Sequence, residues 1–149
     1  MPPTASTSPP YLLPSAGHDG SKVGTLTLFP HCQSVSTAGW SCLHQQGFSF
    51  GIVRAYQSFG QPDSRAAASV ANAWAGGMAH VDVYMFPCPR CGKSAATQVD
   101  ELVHYLRSNG VRYGMVWLDI EGAGYWRDQG FNRYVLHSAC SACGFRWCS

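Results

Sequence analysis

The sequence predicts an α/β fold in the form of a partial TIM-like β/α barrel, the first half of an eight-stranded barrel. Strand and helix signals alternate along the middle of the chain. Strand starts recur roughly every thirty residues, which is typical of parallel strands joined by helical crossovers. The alternation stops after three or four units. A closed barrel takes about 200 residues or more, whereas this chain has 149 residues.

The amino-terminal segment differs in composition from the rest of the chain. Residues 1–22 are rich in Pro, Ser, Thr and Gly and show no periodicity, so we expect irregular chain there. Val23–Phe29 alternates apolar residues with small residues and Thr, and predicts a strand. We therefore divide the chain into an irregular or disordered segment over residues 1–33 and a partial-barrel domain over residues 34–149.

Capping residues and glycines mark the remaining elements. Ser and Thr favour helix starts, Pro is favoured at the first helical position, and Gly favours helix ends. The carboxy-terminal helix also has apolar residues at the spacing i, i+3, i+4, i+7. The predicted strands are Phe48–Ala55, His80–Phe86 and Tyr113–Glu121, and the predicted helices run from Ser36 or Thr37 to Gly47, over Asp63–Ala75, and from Ser94 to Asn109.

The composition describes a folded chain with a nearly balanced charge. It is 46% hydrophobic and 12% charged, which excludes a disordered chain. The net charge is +2 and the Lys and Arg residues form no run. Neither nucleic acid nor an anionic membrane is therefore expected as a partner. No stretch is long and apolar enough to predict a membrane span.

The cysteines and the amino terminus give conflicting indications of the compartment. Seven cysteines in a chain of this size favour an oxidising compartment and secretion. The first ten residues lack the basic start and the apolar stretch of a signal peptide, so no signal peptide is visible in this chain.

Two acidic residues stand at the end of the third predicted strand, and β/α folds collect their chemistry at such strand ends. Asp119 and Glu121 face the same way, with α-carbons about 6.6 Å apart. Two carboxylates in one cleft repel, which raises the pKa of one and keeps it a proton donor. Glycosidic bond cleavage commonly uses such a pair. For an isolated Asp-x-Glu, a solvated strand end is the commoner explanation.

Three segments carry a resemblance to a known family. They read SCLHQQGFSFGIVRAYQSFG, NAWAGGMAHVDVYMFPCPRCG and VRYGMVWLDIEGAGYW. Over Ser41–Trp126 the sequence resembles the eukaryotic branch of glycoside hydrolase family 25, the N-acetylmuramidase type of lysozyme. The combination of FPCPRCG and WLDIEG at this separation is more specific than either motif alone. The resemblance implies a modified TIM-like barrel and degrades after about residue 127.

The resemblance also implies an activity. Family 25 enzymes hydrolyse the β-1,4 bond between N-acetylmuramic acid and N-acetylglucosamine in bacterial peptidoglycan. Glu121 would be the general acid/base, and Asp119 would orient the 2-acetamido group of the sugar, which itself acts as the nucleophile. No metal or nucleotide cofactor is implied. The expected location is extracellular or lysosomal.

Further residues match positions at the rim of the family's substrate cleft. Tyr84 matches an aromatic residue that lines the cleft, and Arg54 and Tyr56 lie at the corresponding rim. For these three residues, packing is an alternative of at least equal weight. Packing is favoured over sugar stacking for Trp117 and Trp126.

The chain also departs from the family pattern. Pro30 occupies the position of an Asp on the opening strand, and a further Asp of the late strands has no counterpart. These departures leave open a second hypothesis, a catalytically inactive, truncated relative that acts as a sugar-binding or regulatory fragment.

The cysteine spacing leaves open a third hypothesis. Cys88 and Cys91 form one C-x-x-C pair, and Cys140 and Cys143 form another. Two such pairs are typical of a small zinc-binding module, although the distance in sequence between these two pairs is long for such a module. By the resemblance, Cys88 and Cys91 lie in a strand-end loop and serve in disulfides.

Overall fold

The structure is a computed structural model that describes residues 35–120 and, for the backbone alone, two strands that precede them. Strands and helices alternate from the second strand onward. In chain order the described elements are β1 (Leu13–Ala16), β2 (Lys22–Thr27), α1 (Thr37–Gln45), β3 (Phe50–Gln57), β4 (Gln61–Pro62), α2 (Ala66–Ala75), β5 (His80–Met85), α3 (Ala95–Ser108) and β6 (Val116–Leu118).

The described strands form one open sheet in the order β1-β2-β3-β5-β6, with the short β4 paired to β3. The strands β2, β3, β5 and β6 are parallel, and β1 and β4 are antiparallel to their neighbours. Successive parallel strands are joined through α1, α2 and α3. This confirms the predicted α/β class with a parallel sheet. Closure into a barrel stays a prediction, because the described strands form an open sheet.

The core lies between one face of this sheet and the helices. The strand residues Val53, Val81, Val83 and Met85 pack with Trp40 of α1 and with apolar residues of the other two helices. Trp40 requires a close approach at Gly51, because a Cβ there would lie 2.8 Å from its ring. No helix among residues 35–120 is long and apolar enough to cross a membrane.

The predicted caps of α1 and α3 are confirmed. The hydroxyl of Ser36 accepts a hydrogen bond from the Gly39 amide at 3.2 Å, and that of Ser94 accepts one from Thr97 at 3.0 Å. Each bond satisfies an amide that has no partner within its own helix. Gly47 follows α1 with a φ of 95°, a conformation that other residues adopt at a steric cost.

Helix α2 begins later than predicted, at Ala66 instead of Asp63. Pro62 pairs with Tyr56 in the two-residue strand β4, and the Asp63 amide donates to the carbonyl of Ala55. These bonds hold the backbone before Ala66 against β3, where it cannot also take part in a helix.

The last described strand, β6, is shorter than the predicted Tyr113–Glu121. With the register Val83↔Val116, an unbroken ladder would join the Met115 amide to the carbonyl of Val81. Instead, the Gly114 amide donates to that carbonyl and the Met115 amide donates to the carboxylate of Asp82 at 2.9 Å. A side chain therefore replaces a backbone acceptor where the strand begins.

The amino-terminal segment contains more strand than predicted. Strand β2 confirms the prediction over Val23–Phe29 within a few residues, but β1 lies where irregular chain is expected. The pairing of β1 with β2 explains the difference, because strand partners stabilise a short segment that has no periodicity of its own.

Candidate active site

Registered neighbours in a parallel sheet point to the same side, so the register defines a second face of the sheet. Ile52 is aligned with Asp82, Arg54 with Tyr84, and Tyr84 with Trp117. The intervening residues, such as Val53 and Val83, belong to the core beneath the helices. The aligned residues therefore lie on the opposite face, which we call the inner face.

A pocket opens on the inner face at the carboxyl end of β6. It has a volume of ≈ 170 Å³ and is lined by Ile52, Tyr84, Trp117, Leu118 and Asp119. The Asp119 amide donates to the carbonyl of Met85 at 2.9 Å, which extends the pairing with β5 to the rim of the pocket. Two predicted site residues, Asp119 and Tyr84, are thus brought together. Glu121, the predicted acid/base, lies outside the described residues.

The two aromatic rings of this pocket differ in exposure. Tyr84 is only 6% exposed and lies on β5, which is paired with β3 on one side and with β6 on the other. Trp117 is 45% exposed, so much of its ring faces the solvent side of the pocket. The pocket therefore presents one buried and one open aromatic surface beside a carboxylate.

Arg54 holds a neighbouring loop to β3. Its Nη2 and Nε groups donate to Oδ2 of Asp63 at 2.8 and 3.1 Å, and both side chains are largely buried. Burial alone raises the pKa of Asp63, but hydrogen bonds from Arg54 and Arg65 outweigh it and hold the pKa below its usual value. Arg54 therefore has an acidic partner, Asp63, that the sequence analysis did not identify.

Tyr56 does not share the inner face with Arg54. The register shifts between these residues, so Tyr56 is aligned with Met85 and points towards α3. It is fully buried, and its hydroxyl donates to Oε2 of Glu101 at 2.7 Å. Burial and the Glu101 hydrogen bond raise the pKa of Tyr56, which keeps the phenol protonated. This placement favours packing over sugar contact for Tyr56.

Asp82 is a buried carboxylate on the inner face. It is 1% exposed and lies two residues before Tyr84 on β5. Its Oδ1 accepts from the Met115 amide at 2.9 Å and lies 2.9 Å from Nε2 of His80, and its Oδ2 accepts from Nε1 of Trp117 at 2.7 Å. The sequence analysis missed Asp82. An acid between two valines in an otherwise apolar strand was the available signal.

The first C-x-x-C pair lies in the loop between β5 and α3. The Cys88 thiol is buried, the Cys91 thiol is half-buried, and neither is bridged. Burial and the hydrogen bond with Cys91 raise the pKa of the Cys88 thiol, which disfavours a reactive thiolate. The disulfide role stays a prediction. The zinc hypothesis also needs Cys140 and Cys143, which lie outside the described residues.

The chain is similar in sequence to several known proteins. The family described as Lysozyme-like protein 1 matches residues 30–144. The chain is 50% identical to Probable GH family 25 lysozyme 2 of Dictyostelium discoideum over 93 residues, which cover 62% of this chain and 43% of that protein. It is 42% identical to Probable GH family 25 lysozyme 4 of the same organism over 100 residues, which cover 67% and 46%.

A nematode protein is also similar. Lysozyme-like protein 5 of Caenorhabditis elegans is 38% identical over 109 residues, which cover 72% of this chain and 50% of that protein. The chain spans about half the length of the curated relatives it matches. The family match covers most of the chain and includes the pocket on the inner face. The chain therefore belongs to the lysozyme-like family of glycoside hydrolase family 25 type.

Proposed function

We propose that this chain carries the catalytic strand of a muramidase that hydrolyses the β-1,4 bond between N-acetylmuramic acid and N-acetylglucosamine in bacterial peptidoglycan. One observation carries the proposal. Asp119 stands at the carboxyl end of β6 in a pocket with Tyr84 and Trp117, in a member of a lysozyme-like family. A carboxylate beside aromatic rings suits a sugar substrate, which offers both polar groups and apolar C–H faces.

In the proposed mechanism the two acids that follow β6 in the sequence have separate roles. Glu121 as a carboxylic acid donates its proton to the glycosidic oxygen, and the bond from that oxygen to the anomeric carbon breaks. Asp119 orients the 2-acetamido group, whose carbonyl oxygen attacks the anomeric carbon. The Glu121 carboxylate then takes a proton from the water that opens the cyclic intermediate. No step uses a metal or a nucleotide cofactor.

Two further residues support this site in the proposal. Tyr84 lines the pocket next to Asp119 and provides a fixed aromatic wall for the sugar. Arg54 already binds Asp63 through two nitrogens. We therefore assign Arg54 to fixing the rim. The proposed place of action is extracellular or lysosomal, where such a polysaccharide is met.

The test is hydrolysis of purified peptidoglycan by the 149-residue chain. We expect Glu121→Gln to abolish the release of reducing ends and Asp119→Asn to lower it by about 100-fold or more, the scale of a lost acid/base or positioning group. The matched controls are Glu101→Gln and Asp100→Asn on α3, away from the pocket. Equal release by the wild-type chain and the Glu121→Gln variant would refute the catalytic assignment.

A second candidate function is sugar binding without turnover. One observation favours it: Pro30 stands where the family pattern has an Asp. Retention of the wild-type chain on insoluble peptidoglycan, with no release of reducing ends, would select this function.

A further inference from the structure

Trp117 combines an exposed ring with a fixed indole N–H. We propose that Trp117 is a sugar-stacking platform of the pocket beside Asp119, and that Asp82 is the positioning residue that sets the orientation of its ring. The proposal rests on the proposed function, because it names a saccharide-binding residue of the same site. It concerns binding, however, and can be tested without turnover.

The exposure of Trp117 is the first argument. Trp40, which packs in the core, keeps no exposed surface, whereas Trp117 keeps 45% of its surface exposed. The ring nevertheless has a defined position, because its Nε1 donates to Oδ2 of Asp82 at 2.7 Å. An aromatic face held open by a bond at its polar edge loses little side-chain entropy when a ligand covers it.

The other described tryptophans show the contrast. Within residues 35–120, Trp40 is fully buried in the core. Trp74 also uses its Nε1, which donates to the carbonyl of Arg112 at 2.7 Å. The guanidinium of Arg112 covers its ring, with 4.8 Å from the guanidinium carbon to the ring centroid. Trp117 differs from both in lining the pocket that contains Asp119.

The burial of Asp82 is the second argument. A buried carboxylate is costly unless hydrogen bonds satisfy it. Both oxygens of Asp82 are used: Oδ2 binds Trp117, while Oδ1 binds the Met115 amide and contacts His80. The acid thus fixes the backbone at Met115, directly before β6, and the indole of Trp117 two residues further on.

The backbone beside Asp82 leaves room for this arrangement. A Cβ at Gly114 would lie 2.5 Å from Oδ1 of Asp82 and 2.5 Å from Nε2 of His80. Any larger residue at Gly114 would therefore force the carboxylate of Asp82, the ring of His80 or the backbone to move. Gly114 therefore leaves space for the Asp82 carboxylate, and Asp82 in turn binds the indole of Trp117, which lines the pocket.

The experiment measures saccharide affinity in the full chain carrying Glu121→Gln, so that no probe is consumed. The probe is a soluble tetrasaccharide of alternating N-acetylglucosamine and N-acetylmuramic acid, titrated by calorimetry. We expect Trp117→Ala to weaken binding by about tenfold, through loss of the ring contact. Trp117→Phe keeps a ring but loses the donor, and should weaken binding severalfold. Trp74→Phe, the matched control, should bind as the parent does.

The role of Asp82 is tested by coupling. Asp82→Asn replaces one carboxylate oxygen with an NH₂ group, which is a donor. The two donors bind different oxygens of Asp82, so the single amide oxygen of Asn can replace only one of these acceptors. We expect Asp82→Asn to weaken binding as much as Trp117→Phe, and the double variant to be no weaker than either single variant. Independent effects that multiply in the double variant would overturn the positioning role.

The proposal stays refutable if Asp82→Asn does not fold. Trp117→Phe breaks the same hydrogen bond from an exposed side chain, and parent-like affinity in that variant would also overturn the role of Asp82. Parent-like affinity in Trp117→Ala, or no binding by the parent, would overturn the platform.

Peptidoglycan hydrolysis by the wild-type chain decides the proposed function separately. Hydrolysis with unchanged affinity in Trp117→Ala would reject the platform and leave the muramidase proposal standing. Loss of affinity in Trp117→Ala without hydrolysis by the wild-type chain would support the platform and reject catalysis.

Discussion

The ion pair between Arg54 and Asp63 ties the inner face of β3 to the segment before α2, and its removal by Asp63→Ala should lower the free energy of unfolding markedly. The side chains are 11% and 6% exposed, so solvent screens the pair little. Asp63 also accepts from the Arg65 amide at 3.1 Å. Breaking a largely buried ion pair by removing one of its members costs about 3–5 kcal/mol, and we expect about 3 kcal/mol because Arg54 keeps its other contacts and is 11% exposed.

Urea unfolding followed by circular dichroism measures this loss. Asp63→Asn keeps an oxygen for one donor, so its loss should be smaller, about 1–2 kcal/mol. Asp100→Asn changes the same chemical group at an exposed position of α3 and should stay within about 0.5 kcal/mol of wild type. A loss below about 1 kcal/mol in Asp63→Ala would show that water or the other contacts of Arg54 satisfy its guanidinium, and would refute a stabilising role for the pair.

The same pair predicts a pH dependence. Hydrogen bonds from Arg54 and Arg65 hold the pKa of Asp63 below its ordinary value in the folded chain, so the unfolded chain binds a proton first as the pH falls. The stability from the pair is complete above the unfolded pKa and is lost as the pH falls through the folded pKa. Between neutral pH and pH about 3, wild type should therefore lose more stability than Asp63→Asn. Parallel stability profiles of the two proteins would contradict this.

Three further changes give smaller, separable effects. Tyr56→Phe removes the hydrogen bond to Glu101 and should lower the free energy of unfolding in urea by about 1 kcal/mol. Saccharide affinity should not change, because Tyr56 packs towards α3; a change in affinity would support its predicted position at the rim of the cleft. Gly51→Ala places a methyl group 2.8 Å from the ring of Trp40 and should cost about 1–3 kcal/mol by overpacking, measured as a lower Tm. Ser94→Ala removes the cap of α3 and should cost about 1 kcal/mol in the same melt, whereas an unchanged Tm would show that water replaces the cap.

Local signals in the sequence predicted the parallel sheet and its helices well. Ser36 and Ser94 act through bonds to amides three residues away, so their effect is visible in a short window of sequence. The late start of α2 was harder to predict from the sequence, because it depends on the pairing of Pro62 with Tyr56. Tertiary contacts of this kind override helix propensity.

The candidate site was predicted in part for the same reason. Asp119 and Tyr84 come together because strand alternation and parallel register are regular, and the sequence pattern reports both. Alternation fails at Tyr56, where a register shift turns the side chain towards α3. Asp82 was missed because its role depends on Trp117 and Met115, more than thirty residues away.

The register shift in β3 has a practical consequence for engineering the pocket. Arg54 belongs to the inner face, while Ala55 and Tyr56 both belong to the layer under the helices. A mutant library intended to alter saccharide preference can therefore randomise Ile52 and leave residues 53–56 unchanged. Varying Ala55 and Tyr56 as well would change buried core residues that pack beneath the helices and do not line the pocket. We expect such variants to lose stability without a change in saccharide preference.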